Sequence, residues 1–483
     1  MPNDAATPLL VPGETCWRVA RADKLAVLVD ASDYFRTAKQ AMLRAQNSVI
    51  LVGWDFDARI TLEPQGQTLE GPNRVGAFLN WLAKRRNSLR IGILKWDLGL
   101  LQSLGRGETP AYFLRWLFGH RVRMKLDGAH PPTAAHHQKL LVVDDALAFC
   151  GGIDMTVGRW DTPEHAEDAP ARHTPGGKPL PPWHDATTCA DGPLARALGE
   201  LARERWKRAT GEDWPAAPGE GPSWPEELEP LLQQVEVGIA RTMAAYQEEP
   251  QVSEIEALTL RLIATARQSL YIESQYFASR RVAEAMAARL REPDGPEILL
   301  INPESADGWL EQATMDAARV RLVHMVRKAD RYGRFRILHP VNEAGTPIYV
   351  HAKIMIMDDR VLKIGSANLN NRSMGHDTEC DLAVDATMAA DPEATRQAIL
   401  ALRHRLLAEH LDHDPEAVVA AVGKHGSLIG AVEALASGGR RLQPLPLREL
   451  SAAEETLAES DLVDPERPPS LKRQMRSLFR RRR

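Results

Sequence analysis

Two histidines and two lysines recur along this chain with one spacing. His137-Gln138-Lys139 is followed by Asp144, and His351-Ala352-Lys353 by Asp358, so both segments read His-x-Lys-x-x-x-x-Asp. Residues two apart on a strand share a face, so each histidine points the same way as its lysine. An ammonium beside an imidazole repels a metal cation but suits a phosphate. The lysine offsets charge on the non-bridging oxygens, and the imidazole can attack or move a proton. With two copies face to face, one histidine attacks phosphorus and the other protonates the leaving alcohol. The displacement is then split into two steps through a covalent phosphohistidine. That scheme calls for no metal and no other cofactor.

Each imidazole needs a partner on its second nitrogen to fix its tautomer. In the second half the candidate is Glu379, in Asp377-Thr378-Glu379. In the first half it is Asp185, in Trp183-His184-Asp185. Asp144 and Asp358 come at strand ends, where a carboxylate caps a turn, so their expected role is structural. His136 should face away from His137, packed or solvated, and His184 is left undecided. Trp54, Trp160 and Trp183 are expected in the core or in a pocket wall.

One such motif could arise by chance, but the chain repeats more than the motif. Gly151-Gly152-Ile153-Asp154 falls on Gly365-Ser366-Ala367-Asn368 at the same offset, and Asn47-Ser48-Val49-Ile50-Leu51 resembles Gln268-Ser269-Leu270-Tyr271-Ile272. In the first half Phe35, Ala38, Met42 and Ala45 predict a helix, followed by a buried strand at 49–52. In the second, Ser253-x-x-Glu256 reads as a capping box opening a helix with Ile255, Leu258, Leu262 and Ala266, then a strand at 270–272. Strands are also expected at 91–94, 122–126, 140–143 and 147–150. Their counterparts are 297–301, 335–338, 354–357 and 361–364. Alternating helices and strands give an α/β fold with mixed sheets. The first unit spans residues 20–209 with its motif in 131–158. A Pro/Gly-rich linker covers 210–235, and the second unit spans 236–411 with its motif in 345–372. Residues 412–483 form a C-terminal extension, and the Pro-rich stretch 163–182 is expected as an exposed loop beside the site.

Composition narrows the function classes. Apolar residues at 44% with 26% charged describe a globular protein, and 483 residues are too many for one ordinary core. No apolar run approaches the roughly 20 residues of a membrane span. Residues 1–16 lack a charged segment followed by an apolar one, so a standard secretory signal is not expected. Cys16, Cys150, Cys189 and Cys380 are scattered with no C-x-x-C pair, which argues against a structural zinc site and against a disulfide framework. Cys150 is expected to be a small buried hydrophobe. Residues 471–483 carry seven positive charges. Subtracting them from the net −5 leaves −12 on the rest. An acidic body disfavours nucleic acid as a partner. The basic tail, with Leu471, Met475, Leu478 and Phe479 on one helical face, fits an interfacial anchor or a disordered segment equally.

These residues resemble the phospholipase D superfamily, whose signature is the paired motif. Gly158-Arg159-Trp160-Asp161, Pro182-Trp183-His184-Asp185, Tyr271-Ile272-Glu273-Ser274-Gln275-Tyr276-Phe277 and Ile364 to Met374 resemble its eukaryote-type branch, with Ser274 where Asn is usual. The Ala and Arg content suits a high-GC bacterial genome. The resemblance implies two tandem αβ-sandwich domains packed as an intrachain pseudo-dimer around one cleft. It implies His137 as nucleophile, His351 as general acid, Lys139 and Lys353 on the phosphate, and Asp185 and Glu379 orienting the histidines. Ser366 and Asn368 are then further phosphate donors. Their first-half counterparts are Gly152 and Asp154, and an ionised Asp154 cannot donate a hydrogen bond.

The implied substrate is a glycerophospholipid at a membrane surface, cleaved to phosphatidic acid with water or an alcohol as acceptor. A cardiolipin synthase-like phosphatidyltransferase is the first alternative and a nuclease the second. Four intact His and Lys residues disfavour a non-catalytic interaction protein. The chain is expected to be a monomer, cytoplasmic or peripheral to a membrane, with signal-independent export left open.

Overall fold

A computed structural model of the chain describes residues 8–97, 109–218, 221–306 and 315–447. The expected interfacial segment 471–483 lies outside the described residues. The repeat read in the sequence is a repeat of structure. In the first half Ser48–Gly53 pairs in parallel with Arg90–Trp96, which pairs in parallel with Val122–Asp127. On its other side Ser48–Gly53 pairs antiparallel with Leu140–Val143, followed by Leu147–Gly151 and Ala186–Asp191. In the second half Ser269–Glu273 stands between Glu297–Ile301 and Ile354–Met357 in the same way. Phe335–Val341 extends the parallel side, and Val361–Gly365 and Glu379–Asp385 extend the antiparallel side. The expected short apolar strands are all present. They are apolar on both faces because helices cover both sides of the sheet.

Two long strands without motif signals join the halves. Arg18–Val29 pairs with Ala186–Asp191 on one side and with Leu232–Met243 on the other, and Leu232–Met243 pairs with Glu379–Asp385. The result is one continuous 16-stranded mixed sheet rather than two separate ones. Leu232–Met243 begins within the stretch read as linker, and Trp214 and Trp224 from that stretch pack back on the first half. There Trp214 stacks edgewise on Trp206 and donates to Ser48 Oγ at 2.9 Å. Beyond residue 411 two helices, Pro415–His425 and Leu428–Leu435, lead to Arg441–Pro444, which adds an edge strand against Phe335–Val341. Among the described residues no helix is long and apolar enough to cross a membrane.

Two local expectations change. The helix Glu254–Thr265 has no side-chain cap from Ser253. Ser253 belongs to a short strand paired with Thr242, which takes its hydroxyl away from the helix, while Glu256 pairs with Arg281. The loop at 163–182 is anchored rather than simply exposed. His165 and Arg172 are buried in it, and Asn342 of the second half donates to Glu167 at 2.8 Å.

Candidate active site

The two motif strands bring His137 and His351 to one cavity of about 360 Å³ between the halves. Backbone pairing across the halves decides which carboxylate meets which histidine. The His137 amide donates to the Thr378 carbonyl at 2.9 Å, and the Thr378 amide donates to the Ala135 carbonyl. Residues 377–379 therefore run beside 135–137. Likewise Trp183–His184 pairs in parallel with Tyr349–Val350, and the His351 amide donates to the His184 carbonyl at 2.8 Å. As a result His137 Nδ1 lies 2.9 Å from Glu379 Oε2, and His351 Nδ1 lies 2.7 Å from Asp185 Oδ2. The expectation of a carboxylate from the same half is corrected: each histidine is oriented by the other half. Each Nδ1 is committed to a carboxylate, which leaves Nε2 for the cavity.

The lysines sit beneath the histidines. Lys139 Nζ donates to the His137 carbonyl at 3.0 Å and pairs with Asp154 at 3.2 Å. Lys353 Nζ donates to the His351 carbonyl and lies 3.4 Å from Gln275 Oε1. Burial, with the charges of Lys139 and Lys353, holds the His137 imidazole well below the usual histidine value. Burial, with Lys353, Arg159 and Lys139, does the same to His351. Burial pushes the Glu379 carboxyl up to about 7 against the pull of Lys139, and it brings the Lys353 ammonium down to about 7. Burial also raises Asp185. A site this dry and this rich in cations holds its histidines neutral until an anion enters.

Asn368 faces the cavity with its Nδ2 3.3 Å from Gln275 Oε1. Ser366, expected as a phosphate donor, instead uses its hydroxyl behind the wall. It donates to Glu379 Oε2 at 2.5 Å and accepts from the Cys380 amide at 3.0 Å. Gly152 is its counterpart under the other carboxylate, where a Cβ would lie 2.2 Å from Asp185 Oδ1. Asp154 accepts from the Trp54 amide at 3.0 Å and faces Lys139, which makes it a positioning group rather than a donor to phosphate. Asp144 and Asp358 lie at the far ends of their strands. Each takes up three backbone amides at the entry to a central strand, Gln46 to Ser48 and Arg267 to Ser269.

Trp54 and Trp183 line the cavity, whereas Trp160 packs at the edge of the first core. His136 is fully buried with Nδ1 3.7 Å from Asp127. Sequence reasoning did not assign Arg159, Gln275 or Ser373 to the site. Arg159 lies over the Trp183 ring at 4.2 Å and reaches the cavity, and the Ser373 hydroxyl donates to Glu379 Oε1 at 2.7 Å. The runs Gly158–Asp161, 271–277 and 364–374 carried that signal, but no spacing rule separated these side chains from their neighbours.

Comparison with known proteins meets this geometry. A phospholipase D family model matches residues 41–219, and one described as cardiolipin synthase, PLD-like domain matches residues 259–398. The chain belongs to the phospholipase D superfamily. Its two superfamily domains stand in tandem. Phospholipase D A of Dictyostelium discoideum is 24% identical over 478 residues, covering 83% of this chain and 36% of the relative. Phospholipase D1 of Schizosaccharomyces pombe is 25% identical, covering 80% and 35%, and phospholipase D alpha 1 of Nicotiana tabacum is 23% identical, covering 77% and 63%. The chain thus spans about a third of the length of the first two relatives and under two thirds of the third. Among solved structures, the phosphatidylserine synthase of Haemophilus influenzae Rd KW20 superposes with a TM-score of 0.55 at 12% identity. It covers 86% of this chain and 97% of its own, and so shares the fold.

Proposed function

We propose that this chain is a phospholipase D-type phosphodiesterase that transfers a phosphatidyl group from a glycerophospholipid to water or an alcohol. The observation that carries this reading is the pair of carboxylate-oriented histidines facing one cavity, each with a lysine beneath it. The names of the relatives point the same way. In the first step His137 Nε2 attacks phosphorus, the P–O bond to the leaving alcohol breaks, and His351 Nε2 gives that oxygen its proton. In the second step His351 takes a proton from water or an acceptor alcohol, whose oxygen displaces His137 and breaks the P–N bond. Glu379 and Asp185 stabilise the imidazolium that each step creates.

His351 must carry a proton to act as an acid, yet in the free site neighbouring cations disfavour one. The phosphodiester anion supplies the missing negative charge, so substrate binding itself arms the acid. Lys139, Lys353 and Asn368 offset the phosphoryl oxygens, with Ser366, Ser373 and Gly152 holding the carboxylates in place. A phosphatidyltransferase reading differs only in the acceptor, and it is favoured by the second domain's match to the cardiolipin synthase description. One incubation with phosphatidylcholine and a primary alcohol tests the proposal. Phosphatidic acid or a phosphatidyl-alcohol should form and vanish in both His137→Ala and His351→Ala. Activity surviving both substitutions would reject it.

A further inference from the structure

A second cluster of titratable side chains lies behind Asp185, outside the cavity. His184 Nδ1, His165 Nε2, a carboxylate oxygen of Asp30 and Glu409 Oε1 converge there, all on buried residues. Both halves contribute. Asp30, His165 and His184 come from the first, and Glu409 from the helix Pro392–Leu411. His184 Nδ1 is 2.7 Å from Glu409 Oε1 and 3.5 Å from Asp30 Oδ1. His165 Nε2 is 3.3 Å from Glu409 Oε1 and 3.6 Å from Asp30 Oδ2. Bonds of about 2.0–2.1 Å to a tetrahedral zinc ion put its donor atoms about 3.3 Å apart. The His165–Glu409 separation matches that spacing, and the Asp30 carboxylate comes within 3.6 Å of both rings, through a different oxygen for each.

The outer nitrogens of the two rings are held as zinc-binding histidines are held. His184 Nε2 lies 2.8 Å from Glu273 Oε2, and His165 Nδ1 lies 3.0 Å from Asp161 Oδ2. A carboxylate on the outer nitrogen turns the N–H outward and presents the inner lone pair. One buried atom aimed into the cluster, Asp30 Oδ2, has no hydrogen-bond partner. A buried oxygen without a partner gives up its water for nothing in return. The two carboxylates of the set itself, Asp30 and Glu409, match the charge of a divalent cation.

We propose that Asp30, His165, His184 and Glu409 form a structural zinc site that pins the two halves together behind the His351–Asp185 pair. The link to the active site is direct. The Asp30 amide donates to the Asp185 carbonyl at 2.8 Å, and Asp30 Oδ1 accepts from the Asp185 amide at 3.2 Å. The site takes no part in the phosphoryl chemistry, and its test is independent of the reaction proposed above.

The full-length chain should be produced with zinc in the medium, desalted, and its metal content measured by mass spectrometry, with a parallel preparation in cobalt. The expected result is about one zinc per chain and the intense visible bands of tetrahedral cobalt. His137→Ala should keep the metal while losing activity, and Glu409→Gln should lower bound zinc at least about tenfold. Asp30→Asn serves in its place if Glu409→Gln does not fold. Wild-type chain with far less than one equivalent and no cobalt bands would leave only a carboxylate–imidazolium cluster and overturn the proposal. Zinc that survives the Glu409→Gln and Asp30→Asn substitutions, or is lost in His137→Ala, would also overturn it, by placing the ion elsewhere.

Discussion

Glu379 and Lys353 are drawn toward neutrality from opposite sides, and the proposed reaction needs both in their charged forms. As pH falls through about 7, Glu379 gains a proton and ceases to stabilise an imidazolium at His137. As pH rises through about 7, Lys353 loses the charge that meets the phosphate. The profile of kcat/KM should therefore be a narrow bell centred near neutrality. A plateau from pH 5 to 9 would contradict these assignments. Lys353 also bears on stability. Its folded value lies below the ordinary 10.5, so the fold disfavours its charge. That cost is absent above 10.5 and grows as pH falls toward about 7. Near neutral pH Lys353→Met should lower turnover by about 10²–10³-fold and leave Tm unchanged or higher. A marked fall in Tm on calorimetry would show that the ammonium holds the fold together. The His, Lys and Asp spacing made these residues legible in the sequence. Their perturbations were not, since these come from burial and from groups such as Asp185, Lys139 and Ser366 that only the fold brings together.

At the scale of elements, strands paired across the halves set the site's wiring. Residues 135–137 run beside 377–379, and 349–351 beside 183–185, so His137 takes Glu379 and His351 takes Asp185. Sequence reading found both carboxylates but assigned each to its own half, because adjacency along the chain is all that a motif records. Ser366, which the resemblance implies as a phosphate donor, has its hydroxyl bonded to Glu379. Gly152 gives the sharpest test at this scale. A methyl there would stand 2.2 Å from Asp185 Oδ1, so Gly152→Ala should displace the carboxylate that orients His351. Turnover should fall by about 10²-fold with little change in KM, because the substrate pocket itself is untouched. A rise in KM at constant kcat would place Gly152 in binding instead.

At the scale of the whole molecule, the duplication was plain from the aligned motifs, but its consequence was not. Arg18–Val29 and Leu232–Met243 carry no motif, yet their pairing fuses the two halves into one sheet. The hydrogen bonds of the active site also cross that seam. The described residues should therefore unfold as a unit, with one calorimetric transition and not two. Two separated transitions would mean that the halves are independent and the crossed pairs weak.

The division of labour between the histidines is the centre of the account, and a trapped intermediate tests it most directly. His351→Ala should still accept the phosphoryl group from a p-nitrophenyl phosphodiester, whose leaving group needs no acid. A burst of p-nitrophenol should accompany phosphorus bound covalently to His137, located by peptide mapping after a rapid quench. Phosphorus on another residue, or a burst with no covalent adduct, would contradict it.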